Sequence, residues 1–419
     1  MPAPVPVDDL DLAVFDRHEP GLRGERLHDA LDRLASRHWM ARADLGVVVL
    51  EREAVVALLR DRRLSFPAAE LLGLQGVEGA VQEAERNGLM GLSGEAHSRL
   101  RRALSAAMAT RNVGDVRPLV HSVLEASWGA VRAGGSCEAV GALAEPVPSA
   151  VVAWLLGLAA GAAPTVARWS SVLQSVFKLG AANDWAEVER CQREVSELVG
   201  SLLDGAQGAE ASKFVQVLAL SADGEASGHD QGRAGSLSRK EAANLVIAIL
   251  AGGVDTTRAQ IAHGLRLFAE HPDQWHILRC RPELASRAAT EVLRYEPITP
   301  FTARVAREDV EYRNVIFPAG TVIFCCLATA NRDPSIWAEP GRFDISRAQP
   351  VQSVLSFGAG SHFCAGAQLA HMELEQVLGF LASRAATLHL EAPPVYGNFE
   401  GIYELVELRL GFAPAAATS

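Results

Sequence analysis

Residues 357–366 read F-G-A-G-S-H-F-C-A-G, a stretch that places Cys364 among three glycines, one histidine and two phenylalanines. Glycine tolerates backbone conformations that let several N–H groups turn toward one point. The residues that follow, A-G-A-Q-L-A-H-M-E-L-E-Q-V-L from position 365, predict a helix that begins next to the sulfur. Backbone N–H donors and the positive end of a helix dipole stabilise a thiolate, the form of cysteine that binds metals or attacks substrates.

The surroundings of Cys364 favour a metal ligand over a nucleophile. The nearby sequence supplies no obvious base and no second soft ligand, so a single axial ligand to a haem iron is the simplest interpretation. The other cysteines are scattered with no C-x-x-C pair, which argues against a zinc ribbon and a disulfide framework. We expect these other cysteines to be inert core thiols: Cys137, Cys191, Cys280, Cys325 and Cys326.

The composition is that of an ordinary globular protein. Its 419 residues are 49% hydrophobic and 21% charged, which suffices for a large core. A net charge of −11 argues against nucleic acid as a partner. The N-terminus lacks the basic and apolar segments of a signal peptide, and the longest apolar run, residues 150–163, falls short of the ~20 residues that span a bilayer. We therefore expect a cytoplasmic monomer without a membrane anchor.

Helical patterns dominate the chain, and β-rich runs are few and short. We predict helices over 22–37, 54–59 and 99–109, strands over 47–50 and 322–327, and a terminal hairpin over 403–410. Residues 223–236 are rich in glycine, serine and charge, which predicts a loop. No internal repeat or second boundary is evident. The sequence therefore predicts a single domain over residues 1–419, mainly α with small β-sheets.

A buried helix is predicted to follow that loop. Ser238 and Glu241 have the spacing of a capping box, and the segment N-L-V-I-A-I-L-A-G-G-V-D-T-T-R from position 244 is apolar almost all round. Gly252 and Gly253 interrupt it, and a glycine inside a helix costs roughly 1 kcal/mol relative to alanine. Such a cost suggests that these two positions need the space.

The two glycines lie beside a possible functional face of the helix. At i, i+4 spacing, Ala248, Gly252 and Thr256 share one face, and Asp255 lies next to it. Small residues on a helix often serve only close helix packing, with the acid finding a partner elsewhere. The other interpretation is a groove, ending in the Thr256 hydroxyl, against which a flat group lies. The helix alone leaves both interpretations open.

Three motifs then occur in the order found in one family. The cysteine stretch resembles the haem-binding loop F-x-x-G-x-x-x-C-x-G of the cytochrome P450 superfamily. G-G-V-D-T-T at 252–257 and E-V-L-R at 291–294 resemble its two other signatures, although an isolated i, i+3 pair such as Glu291 and Arg294 is common in helices. The resemblance runs from about Ser93 to the C-terminus, with the soluble bacterial members as the nearest type. It implies the mainly α, triangular haem-thiolate fold, with haem b as the cofactor.

The resemblance also assigns roles around the haem. It implies Cys364 as the thiolate ligand, Phe357 as the ring that shields the sulfur, and Gly366 as part of the same loop. Cations or donors for the haem propionates are then expected at four positions: His97, Arg101, Arg304 and His362.

A buried ion-pair network is implied beneath the cysteine loop. P-G-R-F at 340–343 matches the family's P-x-R-F, so Arg342 is expected to join Glu291 and Arg294 there. The chain departs from the family after the cysteine, where His371 stands in place of the arginine of the family's Leu-Ala-Arg. That departure weakens any inference about how a redox partner docks.

The activity implied by the resemblance is that of a monooxygenase, an oxidoreductase that activates dioxygen. Electrons would come from NAD(P)H through ferredoxin reductase and ferredoxin. Gly252 would leave room for dioxygen, the Thr256 hydroxyl would donate a hydrogen bond, and Asp255 would relay protons from solvent. We expect arginines 99, 102 and 111 to form a cationic patch for an acidic ferredoxin.

Two alternatives to this activity stay open. The same chemistry serves oxidative coupling, desaturation or peroxide-driven oxidation in some members of the family. A non-catalytic haem-thiolate sensor is the other alternative, but a sensor has no need for Asp255 and Thr256. The sequence does not fix the substrate, the position of oxidation, or the choice between hydroxylation and epoxidation.

The substrate implied is a bulky, largely hydrophobic small molecule, for which natural-product biosynthesis is the expected setting. Family positions for substrate contact carry mostly apolar residues here: Leu71, Leu72, Leu89, Met90, Ala248, Gly252, Ile298, Thr299, Phe301, Asn398 and Phe399. No arginine or lysine is among them, so a fatty-acid carboxylate would enter unpaired and is expected to bind poorly.

Overall fold

The helices carry most of the chain, which confirms the predicted fold class. The computed structural model describes residues 3–109, 113–178, 184–205, 212–222, 237–348, 353–397, 399 and 401–414. Its α-helices are α1 (Glu25–Ala35), α2 (Arg52–Arg60), α3 (Ala68–Leu74), α4 (Ala80–Arg86), α5 (Gly94–Ala109), α6 (Val113–Val131), α7 (Pro146–Leu156), α8 (Ala163–Gln174), α9 (Trp185–Asp204), α10 (Lys213–Ala222), α11 (Arg239–Gly253), α12 (Asp255–Glu270), α13 (Pro272–Cys280), α14 (Ala285–Tyr295), α15 (Leu327–Ala330) and α16 (Ala367–Arg384).

The strands are short and form small sheets at the edges of the helical body. They are β1 (Val5–Pro6), β2 (Met40–Ala43), β3 (Gly46–Val49), β4 (Leu64–Ser65), β5 (Ser136–Glu138), β6 (Phe301–Ala306), β7 (Val310–Tyr312), β8 (Val315–Phe317), β9 (Val322–Cys326), β10 (Ala385–Leu390), β11 (Val395–Tyr396), β12 (Leu405–Glu407) and β13 (Arg409–Pro414). The largest sheet has the order β2-β3-β9-β6-β4, and two three-stranded sheets have the orders β1-β8-β7 and β10-β13-β5.

Most local predictions match these elements. The predicted helices correspond to α1, α2 and α5, and the predicted strands to β3 and β9. The predicted hairpin over 403–410 is wrong, because its two strands have different partners. β12 pairs antiparallel with β11, whereas β13 joins β10 and β5. The predicted loop over 223–236 lies outside the described residues.

The central helix begins as predicted and is broken in the middle. The Ser238 side chain accepts from the Glu241 N–H, and the Glu241 carboxylate accepts from the Ser238 N–H, which completes the capping box. Val254 separates α11 from α12. The segment Arg239–Glu270 is long and apolar enough to cross a membrane, but 61% of its apolar window is buried inside the protein. In the described part of the chain it therefore has the character of a core helix.

Packing around α12 positions the cysteine loop. A Cβ added at Gly264 would lie 3.3 Å from Leu374 on α16 and 3.4 Å from Val292 on α14, so glycine allows these three helices to approach closely. Their apolar side chains belong to one buried cluster together with those of α6. The start of α16, just after Cys364, is thereby fixed against the central helix.

Candidate active site

The cysteine loop has the glycine-dependent backbone that its sequence suggests. Gly358 and Gly360 have φ angles of 72° and 75°, a region that L side chains rarely adopt. A Cβ at Gly360 would also come within 2.4 Å of the Leu59 carbonyl oxygen. The Cys364 N–H donates to the Phe357 carbonyl oxygen at 3.0 Å, which closes the loop. The Cys364 side chain therefore lines a central cavity and is exposed to it.

The loop supplies part of the thiolate stabilisation that the sequence argument expects. Burial raises the pKa of the Cys364 thiol, and the Gly366 N–H and the charge of Arg101 oppose that rise only in part. A bound metal cation would supply the missing stabilisation, because metal binding releases the thiol proton. Burial raises the pKa of Cys325 to about 12 and that of Cys326 to about 11, so both are suited to be inert core thiols.

Four cationic or basic groups line the cavity near Cys364. They are the predicted propionate partners His97, Arg101, Arg304 and His362. The rings of His97 and His362 lie 4.4 Å apart between centroids. Among the described residues, Arg304 donates to Thr302 Oγ1 at 3.3 Å and to the Ala303 carbonyl at 2.8 Å. Within the described ranges, Arg101 and Arg304 form no ion pair with a carboxylate.

The basic groups on the cavity wall disfavour one another's charges. Burial and then the charges of His97, Arg304 and Arg101 lower the pKa of His362 to about 3. Burial also lowers the pKa values of His97 and Arg101. A group with two carboxylates would relieve this repulsion and accept hydrogen bonds from the arginines. The chemistry of these donors, with a thiol facing the same cavity, fits haem with its two propionates.

The ion-pair network beneath the cysteine loop forms, but with a different third member. Arg294 and Glu291 are buried and joined by two hydrogen bonds of 2.7 Å. Arg347 completes the network, with its Nε 3.2 Å from Glu291 Oε1. The prediction for Arg342 is wrong, because its side chain is 58% exposed and pairs with Glu339 at 3.2 Å. Arg342 contributes only its backbone carbonyl, which accepts from Arg294 at 3.0 Å.

This network is tied to the residues that open the cysteine loop. Arg294 Nη1 donates to the Asn331 carbonyl at 3.2 Å. The Asn331 side chain accepts from the Leu355 N–H at 2.7 Å and donates to Ser356 Oγ at 2.8 Å. Ser356 directly precedes Phe357, and its hydroxyl donates to the Leu293 carbonyl at 2.6 Å. The network thus fixes the loop against α14.

The two glycines of the central helix serve different purposes. A Cβ at Gly253 would come within 2.9 Å of the Val152 side chain on α7, so this glycine permits close helix packing. A Cβ at Gly252 would meet nothing within 4 Å, and Gly252 lines the cavity. Gly253 therefore serves close helix packing and Gly252 leaves space in the cavity, so each interpretation of the sequence applies to one of the two glycines. Thr256 also lines the cavity, and its hydroxyl donates to the Gly252 carbonyl.

Asp255 lies behind this wall in a cluster of charges. It is 1% exposed, and its carboxylate is 3.3 Å from Arg258 without the alignment of a hydrogen bond. Arg258 also reaches Glu145 at 3.0 Å and Glu404 at 3.5 Å. Glu404 in turn pairs with Lys178 at 2.7 Å. Burial raises the pKa of Asp255, and Arg258 and Lys178 oppose that rise.

Comparison with known proteins decides what this arrangement is. A family model described as cytochrome P450 matches residues 281–384. Luteothin monooxygenase of Streptomyces thioluteus is 33% identical over 397 residues, which cover 94% of this chain and 93% of that protein. The chain is a cytochrome P450. Haem is accordingly its cofactor, and it is an enzyme of the monooxygenase class.

Other relatives agree with this assignment. Nocardicin C N-oxygenase of Nocardia uniformis subsp. tsuyamanensis is 30% identical over 351 residues, which cover 83% of this P450 and 84% of the relative. The crystal structure of CalO2 superposes with a TM-score of 0.86 at 25% identity and covers 97% of this chain and 100% of that chain. The predicted P450 fold is therefore confirmed.

The cavity of this P450 has a volume of about 490 Å³, and most of the predicted pocket residues line it. They are Leu71, Leu89, Met90, Ala248, Gly252, Ile298, Thr299, Phe301 and Phe399. Leu72 does not line the cavity, because it is buried in a separate cluster with Val77 and Val81. Asn398 lies outside the described residues.

Sequence reasoning missed several polar residues of the cavity wall. Arg17 lines the cavity and forms hydrogen bonds of 2.6 and 2.8 Å with Asp44. Asn244 could have been found, because it extends the Ala248 face by one helical turn. Glu85 and Gln192 also line the cavity, and no motif in the sequence marks them.

The expected cationic patch for a redox partner is largely neutralised. Arg99 pairs with Glu241, and Arg102 pairs with Glu95 at 2.8 Å. Arg111 lies outside the described residues. His371, which replaces the usual arginine, is half-buried and lies 2.9 Å from the Thr290 hydroxyl.

Proposed function

We propose that this P450 hydroxylates or epoxidises a bulky, largely hydrophobic small molecule in natural-product biosynthesis. The observation that carries the proposal is a largely apolar cavity with Cys364 and Thr256 both in its wall. Such a cavity suits a large apolar substrate held by a few polar contacts. The resemblance to luteothin monooxygenase along nearly the whole chain adds support.

The residues that hold the haem follow from the chemistry of the wall. When bound, haem supplies the dioxygen binding and the electron transfer of the reaction. Cys364 supplies the thiolate ligand, and Phe357, beside it in the loop, shields the sulfur from water. Two arginines and two histidines hold the propionates: Arg101, Arg304, His97 and His362. Glu291, Arg294 and Arg347 keep the loop in place.

Proton delivery is assigned to Thr256 and Asp255. Because the Thr256 hydroxyl donates to the Gly252 carbonyl, its oxygen is available to accept a hydrogen bond from water in the cavity. Burial keeps Asp255 protonated to a higher pH than an ordinary aspartate, so it can hold a proton for delivery. The half-buried Glu145, Glu404 and Lys178 connect it through Arg258 toward the surface.

A ferredoxin, reduced by NAD(P)H through its reductase, is the proposed electron donor. Arg102 is 53% exposed, and its ion pair with the exposed Glu95 is of a kind that contributes only about 0–1 kcal/mol. It is therefore free to turn to an acidic partner. Arg102→Glu is expected to slow haem reduction without changing substrate binding, and reduction that does not depend on salt would count against the ferredoxin. We place the enzyme in the cytoplasm as a single-domain monomer.

The reaction is tested with purified haem-loaded enzyme, surrogate ferredoxin and reductase, and NAD(P)H. A panel of terpenoid, polyketide and aromatic peptide-like scaffolds is first screened for the low-spin to high-spin Soret shift. Scaffolds that shift the spectrum are then incubated under isotopically labelled dioxygen. A product that gains one labelled oxygen atom supports the proposal. A spin shift with no NAD(P)H-dependent product for any scaffold would indicate a sensor.

A further inference from the structure

Glu85 is a carboxyl group on the cavity wall without a cationic partner. It lies near the end of α4, is half-buried and lines the cavity. Burial alone raises its pKa to about 7, with no neighbouring charge opposing the rise. In the described residues its side chain takes part in no ion pair. A carboxylate in such a place is costly unless something pairs with it.

In the described residues, the cations of α4 and of the two helices that pack against it form contacts with groups other than Glu85. α4 packs against α3, which has no basic residue, and against α9. On α4 itself, Arg86 donates to Gln82 at 3.4 Å. On α9, Arg190 pairs with Glu187 and Arg193 pairs with Glu189 at 3.7 Å. The basic residues of these helices thus leave Glu85 unpaired in the described ranges, and a cationic group of a ligand in the cavity could pair with it.

Contacts of the neighbouring residues place Glu85 toward the part of the cavity beside the start of α11, which we call the remote end. Its neighbour on α4, Glu83, reaches Lys240 in the first turn of α11 at 3.9 Å. Asn244, one turn further along α11, lines the cavity and precedes Gly252 by two turns, about 12 Å along the axis. Gln192 on α9, the helix that contacts both α4 and α11, lines the cavity as well. The remote end of the cavity therefore carries one carboxyl group, that of Glu85, and the two neutral amides of Asn244 and Gln192.

We propose that Glu85 binds a cationic nitrogen of the substrate at this remote end. The substrate class is then an elongated, mostly apolar molecule with an amine far from the carbon that is oxidised. Asn244 and Gln192 offer neutral hydrogen bonds beside the charge. This inference rests on the proposed function, because it names the substrate class of the same cavity.

The inference is tested by the binding of three probes that share one apolar chain. Dodecyltrimethylammonium, dodecanol and dodecanoate are titrated into haem-loaded enzyme, with the Soret shift and isothermal calorimetry as readouts. A quaternary ammonium has no lone pair and cannot ligate iron. The wild-type enzyme is expected to bind the ammonium probe about tenfold more tightly than the alcohol, and the carboxylate most weakly.

Two matched variants separate the role of Glu85 from general charge. Glu85→Gln is expected to lose the tenfold preference for the ammonium probe while its affinity for dodecanol is unchanged. Glu83→Gln, two residues away and therefore on the opposite, exposed face of the same helix, is expected to behave as the wild type. Wild-type enzyme without a preference for the ammonium probe, or a Glu85→Gln variant that keeps the preference, would overturn the inference.

Failure of this inference can be told from failure of the proposed function. If a neutral scaffold yields a dioxygen-labelled product but Glu85→Gln changes no affinity, only the amine inference fails. If Glu85→Gln abolishes the ammonium preference but no scaffold or amine yields a labelled product, the amine site stands and the monooxygenase proposal fails. The binding readouts need neither electrons nor dioxygen.

Discussion

Buried charges beneath the cysteine loop and buried charges on the cavity wall differ in how completely they are paired. Glu291 is bonded to Arg294 and Arg347, and the remaining donors of Arg294 reach backbone carbonyls. We call these three residues the core network. On the cavity wall, Arg101 has no carboxylate partner within the described ranges, and the two histidines lie against each other.

A second paired cluster strengthens the contrast. Glu296 lies 2.9 Å from His28 and 2.7 Å from Arg266, and all three side chains are buried. Burial by itself would raise the pKa of Glu296, but His28 and Arg266 together hold it well below the ordinary value of 4.5. This cluster and the core network are complete within the chain. The wall groups have no such carboxylate partners among the described residues, and we propose that the bound haem completes them.

The largest expected effect comes from replacing Cys364, the proposed thiolate ligand of the haem. Cys364→His is expected to abolish the red-shifted Soret band of the reduced carbon monoxide complex and all monooxygenase activity, because only a thiolate produces that band. Cys325→Ala and Cys326→Ala should keep it, since both thiols are buried and neither lines the cavity that Cys364 faces. A normal band in the Cys364 variant would show that another residue is the ligand.

Breaking a complete cluster should cost stability. Glu296→Gln is expected to lower the free energy of unfolding by about 3–5 kcal/mol at neutral pH, because the buried Arg266 loses a carboxylate partner and His28 loses its hydrogen-bond partner. The depressed pKa of Glu296 means that its stabilisation is present above pH 4.5 and is lost as the pH falls below that value. Urea unfolding over a pH series should therefore show the difference from the wild type shrinking in acid.

The control for that series is Glu339→Gln, which removes an exposed partner of Arg342. It is expected to change the unfolding free energy by no more than about 1 kcal/mol at any pH. Equal losses for Glu296→Gln and Glu339→Gln would erase the distinction between complete and surface pairs.

A substitution on the cavity wall should affect the yield of the reaction more than the stability of the fold. Thr256→Ala is expected to retain haem and substrate affinity but to lower the product formed per NAD(P)H by about tenfold or more, with hydrogen peroxide released instead. Thr256→Ser, which keeps the hydroxyl, should restore most of the coupling. Unchanged coupling in Thr256→Ala would remove this residue from proton delivery.

The smallest expected effect is a difference in stability between variants of Arg347, which belongs to the core network, and variants of Arg342, which is exposed. Arg347→Ala should destabilise the enzyme by a few kcal/mol, because it leaves the buried Glu291 with one partner fewer. Arg342→Ala should cost at most about 1 kcal/mol, since that side chain is exposed. Thermal unfolding of the two haem-loaded variants checks the order, and the reverse order would restore the motif-based assignment of Arg342.

Local signals in the sequence were sufficient for much of the fold. The Ser238 capping box and the glycines of the cysteine loop act through their immediate neighbours, so their patterns could be read directly. The choice of Arg347 over Arg342 depends on how the chain turns after the motif. There the Arg347 guanidinium reaches Glu291 and three nearby carbonyls at once.

The polar wall of the cavity could not be predicted for a different reason. Glu85, Gln192 and Asn244 come from three helices far apart in the chain, and each has an ordinary local sequence. Their common property is the cavity that they line, which exists only after the helices have packed. The same holds for Arg101, because its lack of a carboxylate partner among the described residues becomes apparent only in the folded structure.

The most direct test of the contrast between the two regions is haem loss from Arg101→Gln. Haem transfer to excess apomyoglobin and urea unfolding of the haem-free chain are measured on the same preparation, with the exposed neighbour variant Arg102→Gln as the control. We predict that Arg101→Gln loses haem about tenfold faster, because a charge-assisted hydrogen bond is removed, while the haem-free chain is as stable as the wild type. Unchanged haem loss together with a destabilised haem-free chain would contradict the account.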